Sequence, residues 1–204
     1  MLYGIEELIK SAYDKGIKNK LITNGKLLDT NKVKEIMPFL ESITLSLDTV
    51  DSTINDKLGR GINHYENIKN ILELLKSYEH IKIRINSVAC SYTKTTFNEL
   101  IEFLNKYPIY NWRIFKFMPL REKAVVNKNE LSITTDEYKY IIDLIEEKSN
   151  IVTIDSRQES DMEKKYILIL ANGDIVVTKG GNDEIIGNAL NDTFQVRELT
   201  EKVR

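Results

Sequence analysis

The sequence predicts an α/β chain: a partial (β/α) barrel of parallel strands with a C-terminal antiparallel hairpin. Three observations carry this. Helical and strand patterns alternate from Ile5 to Ile154, the order of a parallel sheet with right-handed crossovers. The strand ends at Asn24, Asp48, Asn86, Met118 and Asp155 lie roughly 24 to 38 residues apart, the size of one strand–helix unit. The alternation then breaks at Asn172-Gly173, which sits between two apolar runs and signals a type I′ hairpin turn.

Each element has its own warrant. Ile5, Leu8, Ile9 and Ala12 share one helical face, and Gly16 suits the C-cap. Leu21-Ile22-Thr23 is a short strand. A helix over Asn31 to Met37 is stopped by Pro38, which has no N–H to give. Ser42 to Leu47 is the next strand. Ile68, Ile71, Leu72 and Leu75 form a helical stripe, and Ile81 to Val88 a strand. Phe97, Leu100, Ile101 and Leu104 give a helix, and Trp112 to Met118 a strand closed by Pro119. Tyr138, Ile141, Ile142 and Ile145 repeat the helical stripe before a strand at Ile151 to Ile154. The hairpin runs from Tyr166 to Thr178, with a short strand at Ile185-Ile186 and a closing helix from Thr193. Residues 1–160 are expected to form the partial barrel, and 161–204 a hairpin and helix capping the same domain.

Composition narrows the function classes. The 204 residues are 42% hydrophobic and 29% charged, enough for one buried core. A net charge of -2 lacks the clustered positive charge of a nucleic-acid binder. No apolar run is long enough to span a bilayer, and the N-terminus has no basic and apolar leader, so neither membrane nor secretion is expected. The one cysteine, Cys90, precludes an internal disulfide and points to a reducing, cytoplasmic setting.

In α/β barrels ligands bind at the carboxyl ends of the strands. The polar residues there are Thr23-Asn24-Gly25, Ser46-Leu47-Asp48, Asn86-Ser87, Lys116 and Asp155-Ser156. Such a ring suits the hydroxyls, amines and carboxylates of a small ligand, although the same residue types also end strands as turns and caps. Lys82, Arg84, Arg113, Lys116 and Arg121 add positive charge to two neighbouring strands and the loop beyond, which suits a phosphate. On β parity Arg84 and Asn86 share one face, and Ser87 takes the other. His64 and His80 are read as structural, Gly180-Gly181 as a turn and Cys90 as a packed small residue.

Several pieces resemble the radical SAM superfamily. Leu21-Ile22-Thr23-Asn24-Gly25 followed by Ser46-Leu47-Asp48 looks like the third and fourth strands of those enzymes. Gly59-Arg60-Gly61, His64-Tyr65-Glu66-Asn67, Ile85-Asn86-Ser87-Val88, Trp112-Arg113-Ile114-Phe115 and Tyr166-Ile167-Leu168 are most similar to the viperin-like branch. The resemblance implies that Asn24, Ser46, Asp48, Asn86 and Ser87 lie around S-adenosylmethionine. It implies that Arg60, Arg84, Lys116 and Tyr166 meet a substrate, a nucleotide if the viperin likeness holds. With a [4Fe–4S] cluster such an enzyme would generate a 5′-deoxyadenosyl radical that abstracts hydrogen.

The chain departs from that pattern in one segment. Iron–sulfur clusters of this type need three closely spaced thiolates, and Cys90 stands alone. The expectation is therefore a half-barrel whose first two strand–helix units lie ahead of Met1 or on another chain. Its open sheet edge would favour a dimer or a complementing fragment. Two other readings stand beside this one. One is a non-catalytic barrel that binds a nucleotide or a protein partner. The other is an unrelated barrel enzyme with Asp48 and Asp155 as an acid/base pair.

Overall fold

The computed structural model describes residues 4–119, 122–158, 167–179 and 182–191. Five parallel strands stand in sequence order: β1 (Asn19–Thr23), β2 (Leu40–Ser46), β3 (Lys82–Ala89), β4 (Ile109–Lys116) and β5 (Thr153–Arg157). Neighbours in sequence are neighbours in the sheet, the winding of a barrel wall rather than of a doubly wound sheet. The crossovers are α1 (Ile5–Asp14) ahead of β1, α2 (Thr30–Ile36), the pair α3 (Ser52–Lys57) and α4 (His64–Leu75), and α5 (Phe97–Leu104). Before β5 come two short turns, α6 (Glu122–Val126) and α7 (Lys128–Leu131), and then α8 (Thr135–Lys148).

One sheet face is covered by helices. Ile43, Leu45, Ile83, Ile85, Trp112 and Ile114 point there and are almost fully buried. They meet Val33 and Ile36 of α2, Ile68 and Leu72 of α4, Phe97 and Leu104 of α5, and Tyr138 and Ile141 of α8 in one cluster. The period-2 alternation puts Thr44, Arg84 and Asn111 in one cross-strand row on the other, inner face. Ser46, Asn86, Arg113 and Asp155 form the next row toward the carboxyl ends. A half-polar inner face and an outer face apolar but for Ser87 are what a barrel wall needs.

Helix starts follow their caps. Asp29 and Asp51 accept from Lys32 N and Ile54 N at 2.9 Å each, and Thr134 with Glu137 forms a capping box on α8. The Lys94 ammonium, 2.6 Å away, holds the Glu137 carboxyl down to about 2.

Three expectations need correction. Asp155 lies inside β5, which starts two residues later than its apolar run suggests and ends at Arg157. The terminal element is a three-stranded antiparallel sheet, β6 (Ile167–Ile169), β7 (Asp174–Lys179) and β8 (Asn182–Asn188), in which the short strand expected at Ile185-Ile186 is longer and pairs with the hairpin. Its first turn is not a two-residue one. Gly173 N–H closes a β-turn onto the Leu170 carbonyl at 2.9 Å, and Gly173 itself takes φ 87°, the longer loop with a bulge. The expected helix from Thr193, Arg121, Tyr166 and the Gly180-Gly181 turn lie outside the described residues.

Candidate functional site

The carboxyl ends of β1 to β4 enclose a cavity of about 340 Å³, walled by Asn24, Lys26, Asp48, Arg60, His64, Val88, Cys90 and Phe117, with Leu58, Gly59 and Leu131 completing it. The size is that of a small-molecule site. A second cavity of about 560 Å³ adjoins it and shares Lys26, Arg60 and His64.

The β1 corner is fixed by α4. Gly25 has φ 73°, a conformation that favours glycine. A Cβ there would come within 2.7 Å of Ile68 Cδ1. Asn67 Nδ2 donates to the Gly25 carbonyl at 2.6 Å. Asn24 Oδ1 accepts from Lys26 N–H at 3.1 Å, a local turn that also sets Asn24 on the cavity wall.

Asp48 is the buried centre. Its Oδ1 accepts from Val88 N–H at 2.8 Å, and its Oδ2 accepts from Arg60 Nε at 2.9 Å and Nη2 at 2.8 Å. Two guanidinium nitrogens thus meet one carboxylate oxygen, with the Asp48 side chain 4% and the Arg60 side chain 27% exposed. Arg60 and Asp48, assigned by resemblance to substrate and cofactor respectively, are thus one unit on one wall. The guanidinium keeps donors that face the cavity, because two of its five N–H groups serve Asp48.

His64, read from the sequence as structural, lies on the same wall. It is 5% exposed, and its Nε2 lies 2.9 Å from the Ser46 carbonyl. A carbonyl only accepts, so Nε2 carries the proton. Burial pushes the imidazolium below its ordinary 6.5; the Ser46 hydrogen bond opposes this and the Arg60 charge reinforces it. A histidine depressed in the folded state contributes stability above its unfolded value, and that contribution is lost as pH falls. The thermal midpoint should therefore drop more steeply as pH falls below 6.5 in the native chain than in His64→Gln. Equal slopes in paired melting curves would remove His64 from this account.

The other expected site residues divide. Ser46 and Asn86 are half-buried on the inner face, side by side in the register. Ser87 faces the helices instead: it is 0% exposed, donates to the Leu47 carbonyl and accepts from Trp112 Nε1 at 2.9 Å. Strand parity forces this, so Ser87 supports the Leu47-Asp48 segment from behind and does not reach a ligand. Arg84 lies on the inner face but does not line the cavity. Its guanidinium sits 5.6 Å over the Tyr110 ring, and its Nε is buried without a hydrogen-bond partner. Lys116 Nζ donates to Thr135 Oγ1 at 3.1 Å.

The structure adds a group that sequence reasoning left unassembled. Asp155 Oδ2 accepts from Arg113 Nε at 2.7 Å, and its Oδ1 lies 3.0 Å from Arg157 Nη2. Two guanidiniums share one carboxylate on the inner face, leaving a net positive charge beside Asn86. The i, i+2 spacing of Asp155 and Arg157 was the available signal.

Cys90 lies at the cavity wall, 1% exposed, with Thr93 Oγ1 3.6 Å from its Sγ. Among the described residues no three His, Cys, Asp or Glu side chains converge on a metal position. The residues present do not fit a [4Fe–4S] cluster. They do fit S-adenosylmethionine in donor chemistry: an amide, a guanidinium with spare donors and apolar walls surround one space.

Sequence order of the strands, the inner polar rows and the cavity at the carboxyl ends define a partial (β/α) barrel, and solved structures of radical SAM enzymes share that fold. The chain superposes on SuiB of Streptococcus suis bound to S-adenosylmethionine with TM-score 0.59 and 21% identity, over 85% of this chain and 45% of that one. A structure of anSMEcpe with bound AdoMet and a peptide matches with TM-score 0.64 and 19% identity, over 91% and 57%. The particular relatives in sequence are S-adenosylmethionine-dependent nucleotide dehydratases, as the viperin-like resemblance implied. That of Flammeovirga pacifica is 27% identical over 87% of this chain and 61% of its own length. That of Psychrobacter lutiphocae is 30% identical over 57% and 40%. A probable GTP 3′,8-cyclase of Methanococcus aeolicus is 28% identical over 78% and 47%. The chain thus spans less than two thirds of the length of each of these relatives. No family model matches it. No helix among the described residues is long and apolar enough to cross a membrane.

Proposed function

We propose that this chain is the S-adenosylmethionine- and substrate-binding part of a radical SAM enzyme that acts on a nucleotide. The observation that carries the reading is the cavity at the strand ends, where Asn24, Asp48 and Arg60 meet. Relatives named as nucleotide dehydratases support the substrate class.

In this reading the cofactor lies across the ends of β1 to β3. Asp48 holds the Arg60 fork in place, and the spare Arg60 donors take the cofactor carboxylate, the planar pairing that guanidinium favours. This moves Arg60 from the substrate to the cofactor. Asn24, Ser46 and Asn86 offer hydrogen bonds to its ribose and amine. Val88, Phe117 and Leu131 exclude water around the adenosyl group. The nucleotide lies further across the inner face, its phosphates toward Lys116 and the Arg113–Asp155–Arg157 group, with Arg84 on the same face. The residues of this chain bind and orient.

Titration calorimetry with S-adenosylmethionine tests this. Arg60→Ala should weaken binding at least tenfold, about 1.4 kcal/mol, while Lys139→Ala on exposed α8 leaves it unchanged. Equal affinity in Arg60→Ala and native chain would sink the assignment.

A further inference from the structure

A cavity larger than the carboxyl-end one lies at the other end of the sheet. It holds about 700 Å³ and lies where β3 and β4 begin, walled by Tyr78, Tyr107, Pro108 and Tyr110 and rimmed by Lys76 and Lys82. Nothing in the carboxyl-end site uses it.

Two backbone irregularities build it. Ile109 N–H bonds back to the Tyr107 carbonyl at 2.8 Å across Pro108, a three-residue turn. The next residue is a bulge: Ile83 pairs with Ile109 and Arg84 with Asn111, which leaves Tyr110 without a partner in the register. A bulge re-aims a side chain at the expense of ladder pairing. Here it leaves the Tyr110 ring 39% exposed. Tyr107 by contrast is a fixed wall, 7% exposed, its hydroxyl donating to Glu73 at 2.8 Å.

The cations are held on these rings. Lys76 Nζ lies 4.6 Å over Tyr107, and Lys82 Nζ lies 4.9 Å over Tyr110. Lys76 is neutralised by Glu73 at 2.9 Å. Lys82 makes no ion pair among the described residues, and it shares the Tyr110 ring with the Arg84 guanidinium. Glu79 also lines the cavity, and the Glu41 carboxylate feels the Lys82 charge, but neither forms an ion pair with the two cations on the Tyr110 ring, whose donors stand beside aromatic surface. That pairing takes an anion attached to a planar ring.

We propose that this amino-end cavity is a second ligand site for a planar aromatic anion of nucleoside monophosphate size, its ring against Tyr110 and its charge on Lys82. The proposal does not depend on what the carboxyl-end cavity binds.

The test uses the full chain with its tyrosines replaced by 3-fluorotyrosine and follows fluorine NMR. The Tyr110 resonance is assigned by its loss in Tyr110→Phe, and AMP is the probe. The Tyr110 signal should shift saturably with AMP, and at least tenfold less tightly with adenosine or inorganic phosphate alone. Lys82→Ala, at an exposed strand-start position that does not disturb folding, should weaken the shift at least fivefold, while Arg60→Ala leaves it unchanged. A Tyr110 signal that stays put at millimolar AMP would overturn the proposal. So would a shift of equal affinity in Lys82→Ala, or one abolished by Arg60→Ala.

Discussion

Trp112→Ala should destabilise the chain by about 4 kcal/mol, the upper part of the range for a large buried aromatic. Trp112 is 0% exposed and stacks on Phe97 of α5 at 6.2 Å between centroids. Its removal opens a cavity between β4 and α5 that neither rigid element can close. It also strips Ser87 Oγ of its indole donor, in a place where water does not reach. The consequence reaches the site, because Ser87 holds the Leu47 carbonyl and Leu47 precedes Asp48. Urea unfolding should therefore show a lowered midpoint with an unchanged slope, and S-adenosylmethionine binding should weaken at temperatures where the variant is still folded. Trp112→Phe keeps most of the packing and loses the indole N–H, so it separates the two effects. A variant as stable as native would mean that α5 does not pack on β4 as described.

Asp48→Ala should cost about 3 kcal/mol and remove cofactor binding. The loss has two sources. The part-buried Val88 N–H is left without an acceptor, and Arg60 is left half-buried without its counter-charge. Asp48→Asn keeps the shape and one acceptor. It should restore about half of the stability and little of the binding, because an amide oxygen cannot hold the Arg60 fork by charge. If Asp48→Asn bound S-adenosylmethionine as native does, the ion pair would be structural only.

Much of this was legible in the sequence, for reasons that differ by element. The helix stripes and strand runs are short-range patterns, and the parity of Arg84, Asn86 and Ser87 follows from the strand period alone. That parity correctly separated the inner-face Asn86 from Ser87. The strand-end rule located the cavity through Asn24 and Asp48. What escaped depends on distant groups. The Asp48–Arg60 pair is set by the path of the chain through α3, an element with no apolar stripe to announce it. His64 looked isolated because its partner is a main-chain carbonyl, which no residue type reveals. Asp155 resembled a strand end because the apolar run stops at Ile154, yet pairing with β4 carries the strand on to Arg157. The Tyr110 bulge is a property of register, visible only once β3 and β4 are paired.

Where S-adenosylmethionine sits is decided by a crystal structure of this chain grown with it. The cofactor carboxylate is expected on the Arg60 guanidinium, with Arg60 still paired to Asp48 and the adenosyl group between Asn24 and Val88. A cofactor bound elsewhere, or one whose carboxylate lies away from Arg60, would contradict it.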